Sequence, residues 1–254
     1  MQNIFTIAKH FPQNDEAALS AFARQYLLLR KKENRIYTDN ELLLLPETAP
    51  AHQYYKEWQV RKNSCRRLLN WLSKKNTPLQ ILEVGCGNGW LSAQLATLKN
   101  AEVTGIDINT AELQQAQRVF AGHTNLHFIN ATINSAQLNG KVFDIIVFAA
   151  SVQYFPSVKK TVKAALQHLT LQGEIHITDS PFYKQKEIAQ ARQRTKEYFE
   201  SVSFPKMARY YFHHSIDTLQ PFDHKLLYNP GALVNRLRKN RSPFHHIVIT
   251  STQQ

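Results

Sequence analysis

Three of the chain's eight glycines fall within five residues, Gly85, Gly87 and Gly89 in the run ILEVGCGNGW. A short apolar run over residues 80–84 precedes them, and a helical pattern over about 91–99 follows. Glycine at such a junction lets the chain turn sharply and lets a ligand approach the backbone with no Cβ in the way. The next apolar run, residues 102–107, ends on Asp107, 22 residues after Gly85. An acid about 20 residues beyond a glycine turn, at the carboxyl end of a strand, is placed to accept hydrogen bonds from ribose hydroxyls. Turn and acid together predict a nucleoside-bearing ligand at the carboxyl edge of a parallel sheet.

Two competing glycine motifs are excluded by single positions. A dinucleotide fingerprint, G-x-G-x-x-G, requires glycine at position 90, which is Trp90. A phosphate-binding P-loop requires G-K-[ST], which does not follow.

The rest of the chain keeps the alternation that the first two strands begin. Strand-like runs recur at 126–130, 143–149 and 174–179, with helical patterns at 110–120 and 157–169 between them. Strands alternating with helices imply a parallel sheet covered on both faces. Upstream, residues 15–32 read as a helix with an acidic start and a basic end. A turn-rich stretch follows, with a short apolar run at 42–45 closed by Pro46. Residues 52–75 read as a second helix, which Pro78 ends. Downstream come a helix over 184–201, an aromatic and histidine-rich stretch, and two short runs, 224–228 and 246–250, that read as final strands.

These residues resemble the class I methyltransferases that use S-adenosylmethionine. EVGCGNG is similar to that family's first motif, [E/D]-x-G-x-G-x-G, and GIDI to its second. FDIIVFAASVQYFP resembles the fourth-strand motif, and LTLQGEIHITD the segment leading to the fifth strand. The resemblance covers roughly residues 52–180 and is closest to the broad group acting on small molecules, lipids and quinones. It implies an α/β fold: a Rossmann-like, seven-stranded, mostly parallel sheet with helices on both faces. An N-terminal helical cap would span 1–77 and the methyltransferase domain 78–254, with an insertion at about 181–223.

The family implies roles at matching positions. Gly85, Cys86, Gly87 and Gly89 would wrap the methionine and sugar portions of the cofactor, with Glu83 near its amino group. Asp107 would bind the ribose hydroxyls and Ile108 pack on the adenine. Residues 130–133, with Ala131 and Thr132 at the centre, would lie at the adenine edge, and 148–150, including Ala149, would line the pocket. Many members carry Asp where this chain has Thr132, a weaker acceptor for the adenine amino group. Tyr54, Tyr55 and Arg61 would close over the cofactor and meet its carboxylate.

An activated sulfonium needs alignment and dryness more than a catalytic triad, and none is visible. The Asn/Asp-Pro-Pro-aromatic motif of amino-group methylation is replaced by AASVQY at 149–154. Candidate substrate-side groups are Tyr154, Asp179, Tyr210, Tyr211, His213 and His214. A histidine ring with its usual pKa near 6.5 can act as a base. The adjacent His213 and His214 point apart on a helix or a strand, so no metal site is expected from them with Asp217.

Composition bounds the remaining classes. Hydrophobic residues make up 43%, enough for a full core. The longest apolar run, about 145–150, is far short of the roughly 18 residues of a membrane helix. The first residues lack the basic start and apolar stretch of a signal peptide. Two cysteines make neither a disulfide framework nor a zinc set. A cytoplasmic protein is expected. The formal charge is +12, carried by the flanks: residues 1–77 have 13 basic against 7 acidic groups and residues 181–254 have 12 against 5. Such flanks attract an anionic partner. The expected partner is a small-molecule or lipid-like methyl acceptor; RNA methylation, or a catalytically inactive cofactor-binding partner protein, are the alternatives.

Overall fold

The computed structural model describes residues 16–236 and 241–251. The reading of a missing signal peptide rests on the first residues of the chain, of which 1–15 lie outside the described residues. Seven strands form one sheet in the order β3-β2-β1-β4-β5-β9-β8. They are β1 (Leu79–Val84), β2 (Ala101–Asp107), β3 (Leu126–Asn130), β4 (Phe143–Ala149), β5 (Leu169–Thr178), β8 (His224–Tyr228) and β9 (His246–Thr250). The first five run parallel, and β9 runs antiparallel to both β5 and β8.

The central strands are buried on both faces, which explains their unbroken apolar runs. Consecutive residues then feed opposite cores. Ile81, Ile145 and Val147 pack with α3 (Tyr55–Leu72), α4 (Trp90–Leu95) and α5 (Thr110–Val119). Leu82, Ile146 and Phe148 pack with α6 (Val158–Leu166) and the segment around Leu219. Trp58, Cys65, Leu68 and Leu72 of α3 belong to the first of these cores, so α3 covers the sheet directly.

Three local readings differ from the structure. The turn-rich stretch before Pro46 contains a helix, α2 (Asp39–Leu44), set by a capping box between Thr38 and Glu41. Strand β5 begins at Leu169 rather than 174, because Leu169 already pairs with Phe143 of β4 ahead of a register shift. The helix expected at 184 begins at Ile188 as α7 (Ile188–Ser201), after a 3-10 turn. The aromatic stretch beyond α7 folds as 3-10 turns. It contributes β7 (His214–Ser215), which pairs in parallel with β6 (Phe182–Tyr183).

Strand order reverses between β1 and β4, and a crevice opens there at the carboxyl ends of the strands, where open α/β sheets bind ligands. α1 (Glu16–Lys32) lies across its mouth. A third apolar cluster, Leu29 with Phe199, Met207 and Tyr210, fastens α1 to α7 and the turn after it.

Candidate functional site

The loop from β1 to α4 is a chain of left-handed turns, with φ of 76° at Gly85, 53° at Gly87 and 77° at Gly89. The first and last glycines are required for different reasons. A Cβ on Gly85 would sit 2.7 Å from Ser151 Cβ, so this glycine lets the β4 loop close on the β1 loop. A Cβ on Gly89 would sit 2.5 Å from Phe128 Cζ, so that glycine seats α4 against β3.

Asp107 ties the loop to β2. The Gly87 N–H donates to its Oδ2 at 2.9 Å and the Asn109 N–H to its Oδ1 at 2.8 Å. Burial raises its pKa above the usual carboxylate range, although those backbone donors oppose the rise. Glu83, 2% exposed, accepts a hydrogen bond from Ser92 Oγ at 2.5 Å, and burial pushes its pKa up to about 8. At the start of α5, burial and the Asp107 charge push Glu112 up to about 7, against the pull of Arg30. Three carboxylates thus surround one glycine loop with too few donors for their charge.

The crevice has two contiguous halves. The apolar half encloses about 900 Å³ between α1, the β2 end and the β4 loop. The polar half encloses about 660 Å³ between α1, α3 and the glycine loop. Tyr26, Gly85, Gly87 and Ala150 line both. Ala150 takes a left-handed φ of 51°, a strained conformation for a residue with a Cβ, and Ser151 beside it donates to the Val84 carbonyl at 2.8 Å.

Of the residues singled out from the sequence, Gly85, Gly87, Asp107, Ile108, Ala131 and Thr132 line the apolar half. Arg61, Glu83, Gly85, Cys86, Gly87 and Ala149 line the polar half. Arg61 is held by Glu57, with Nη2 to Oε1 at 3.0 Å. The Thr132 hydroxyl lies 3.0 Å from Ser135 Oγ. Tyr154 lines the apolar half and a further cavity beyond it.

Other expected residues stand elsewhere. Tyr55 and Gly89 line neither half. Phe148 is fully buried and meets Phe155 edge-on, because a residue before the strand end alternates away from the crevice. His214 is drawn off by the β6–β7 pairing, and His213 lies just before it. His213 Nε2 lies 2.8 Å from Thr195 Oγ1, and burial, with Arg192 nearby, pushes its pKa down to about 4. His214 Nε2 lies 3.1 Å from the Val152 carbonyl. Asp179 is buried and accepts from Ser64 Oγ at 2.6 Å. Tyr210 is packed in the α1–α7 cluster.

Sequence reasoning missed one whole wall, formed by Leu19, Phe22, Ala23 and Tyr26 of α1. Its signal was the repeat Phe22, Tyr26, Arg30, four residues apart on one helix stripe. Glu112 was missed as well, since an acid in the first turn of a helix has an ordinary reading.

A family model described as a methyltransferase domain matches residues 75–232, more than half of the chain. The chain belongs to the methyltransferase domain family. Among curated relatives, the malonyl-[acyl-carrier protein] O-methyltransferase of Acetivibrio thermocellus is 29% identical over 169 residues, 63% of this chain and 59% of that protein. The ubiquinone biosynthesis O-methyltransferase of Rickettsia prowazekii is 30% identical over 97 residues, 37% of each chain. The chain therefore spans less than two thirds of the length of these relatives. The plantazolicin methyltransferase BpumL, solved in complex with a monoazolic desmethylPZN analog and SAH, shares the fold. Its TM-score is 0.54 at 14% identity, over 93% of this chain and 99% of that one. Among the described residues of this methyltransferase-family chain, no helix is long and apolar enough to cross a membrane.

Proposed function

We propose that this chain is a methyltransferase that takes its methyl group from S-adenosylmethionine and delivers it to an oxygen of a small-molecule or lipid-like acceptor. The observation that carries the reading is Asp107, which lines the apolar half-cleft and whose carboxylate accepts from two backbone donors, one of them on Gly87, a residue of both halves. The residues fit the cofactor half by half. Ile108, Ala131 and Ile133 offer apolar walls to an adenine ring, and Asp107 offers acceptors to ribose hydroxyls. Glu83 faces the polar half with a carboxylate whose charge a ligand ammonium would stabilise. Arg30, Arg35 and Arg61 supply cations for a ligand carboxylate. The names of the two O-methyltransferase relatives support an oxygen acceptor.

When bound, the cofactor supplies an activated methyl group, so the protein's task is positioning and exclusion of water. The glycine loop sets the near edge of the site, and the positive-φ Ala150 sets the far edge. Tyr26 and Phe22 of α1 roof it.

Calorimetric titration with S-adenosylmethionine, using NAD as a control, tests the reading. Saturable binding of the first alone is the expected result. No binding of S-adenosylmethionine would overturn it.

A further inference from the structure

A third cavity, of about 750 Å³, lies on the other side of Tyr154 from the apolar half-cleft, between α1, α7 and the aromatic stretch after α7. It shares Arg30 and Arg35 with the polar half and Tyr154 with the apolar half, so it abuts both halves of the crevice. Five aromatic rings line it: Tyr154, Tyr183, Tyr198, Phe199 and Tyr211. Tyr154 and Tyr211 stand edge-to-face at 5.8 Å, and Phe199 meets Tyr211 at 6.1 Å. These contacts set three of the rings as flat walls of the cavity.

One of its cations stands without an acidic partner among the described residues. Glu33 lies 3.3 Å from Arg30 and 3.4 Å from Arg35, and it also accepts from the Tyr198 hydroxyl. Arg35 is further paired with Glu57 at 2.7 Å. Arg194, exposed on α7, has no carboxylate within 4 Å among the described residues.

A base is missing from the same walls. Burial holds the phenols of Tyr198, Tyr211 and Tyr183 above their usual pKa, so they stay protonated. The oxygens of Glu33 are occupied, and His213 sits behind the wall with its Nε2 on Thr195. Among the described residues that line the cavity, an acceptor that must lose a proton finds no group to take it.

Resting on the proposed cofactor, we infer that this cavity is the acceptor site, that it takes a flat, conjugated or aromatic carboxylic acid, and that Arg194 reads the carboxylate. Such an acceptor arrives already ionised. One carboxylate oxygen bonds to the methyl carbon as the carbon–sulfur bond breaks, and the electron pair stays on sulfur. The products are a methyl ester and a neutral thioether, and no proton is transferred. The ring walls select the planar body, and the guanidinium fork of Arg194 selects two oxygens over one.

The test uses cinnamate, cinnamyl alcohol, methyl cinnamate and octanoate as probes. Their binding is measured by calorimetry with and without S-adenosylhomocysteine. Cinnamate is expected to bind at least tenfold tighter than the alcohol and the ester, and tighter than the flexible octanoate. Arg194→Gln is expected to weaken cinnamate at least tenfold and to leave S-adenosylhomocysteine affinity within twofold. Arg194→Lys, which keeps the charge but not the fork, is expected to fall between them. Mass spectrometry with S-adenosylmethionine should show cinnamate converted to its methyl ester. Equal binding of acid and alcohol, no binding of any probe, or an unchanged Arg194→Gln variant would overturn the inference. Failure of S-adenosylhomocysteine itself to bind would instead sink the cofactor reading, since cinnamate binding is measured without it as well.

Discussion

Two groups of acids stand on different strands of one sheet and beside it, and they are solvated in opposite ways. Beneath the glycine loop, at the carboxyl ends of β1 and β2, burial raises the pKa values of Glu83, Asp107 and Glu112. On β5, Glu174 is pressed by burial in the same direction, yet its partners outweigh burial and hold its pKa at about 2. Glu174 Oε2 accepts from Trp71 Nε1 at 2.8 Å and from His176 Nε2 at 3.1 Å, and Lys75 reaches Oε1 at 3.0 Å. His176 Nδ1 in turn lies 3.0 Å from His246 Nε2. Burial lowers the pKa of both rings, so both are neutral, and the chain of bonds then assigns each ring its proton at Nε2. His246 Nδ1 is left as an acceptor without a partner. A carboxylate satisfied from within its own protein is structural. One left short of donors beside a cleft is built for a donor that comes from outside.

The largest effect should come from breaking the satisfied group. Glu174→Ala strands His176, Trp71 and Lys75 around a buried gap, and loss of one partner of a buried ion pair costs about 3 kcal/mol or more. For a chain of this size that lowers the melting temperature by roughly 6–12 °C. Calorimetric affinity for S-adenosylmethionine should stay within twofold. A matching loss of cofactor affinity would show that the two groups are not independent. The mirror experiment is Asp107→Asn, which keeps the shape but removes the charge. Here S-adenosylmethionine affinity is expected to fall at least tenfold, about 1.4 kcal/mol. The melting temperature should move far less than in Glu174→Ala. An unchanged affinity would remove Asp107 from the ligand's surroundings.

The contrast was only half legible in the sequence. Strands at 126–130, 143–149, 224–228 and 246–250 coincide with β3, β4, β8 and β9, because a continuous apolar run bounded by polar residues has little else it can become. The glycine trio and Asp107 were legible because the local chain geometry they need is written within 25 residues of sequence. Glu174 and His176 lie two apart on a strand and so share a face, a visible signal. Their third member, His246, comes from 70 residues away, through the antiparallel pairing of β9 with β5. The α1 wall is hidden for the same reason: periodicity shows that Phe22 and Tyr26 share a stripe, but not which surface the stripe covers. His213 and His214 looked chemical because histidine is the residue of proton transfer. His214 enters a two-residue strand pairing, which no periodicity announces, with its ring on the Val152 carbonyl, and His213 beside it meets Thr195.

The smallest effect, and the one that sharpens the comparison most, is in pH. Glu174 has a folded pKa near 2, below its usual 4.5. It therefore contributes stability above pH 4.5 that is lost as pH falls through 2. Glu83 and Glu112 carry the opposite sign. Their folded values of about 8 and about 7 lie above 4.5, so the folded protein holds protons that the unfolded chain has released. Their contribution is fully present below pH 4.5 and is lost as pH rises through 7 to 8. A ligand ammonium and ribose hydroxyls favour the ionised carboxylates, so binding must expel protons and tighten as pH rises. The useful window is pH 6.0 to 7.5, below the titration of an α-amino group near 8. Over it, S-adenosylmethionine affinity is expected to rise about fivefold, against a ceiling of about tenfold per pH unit for each proton fully linked. Calorimetry in two buffers of different ionisation heat should count about half a proton released at pH 6.5, and Glu83→Gln should flatten most of the slope. A flat profile in the unaltered protein would mean that these acids are already ionised and paired without a ligand. The glycine-loop group would then be as self-sufficient as the one around Glu174.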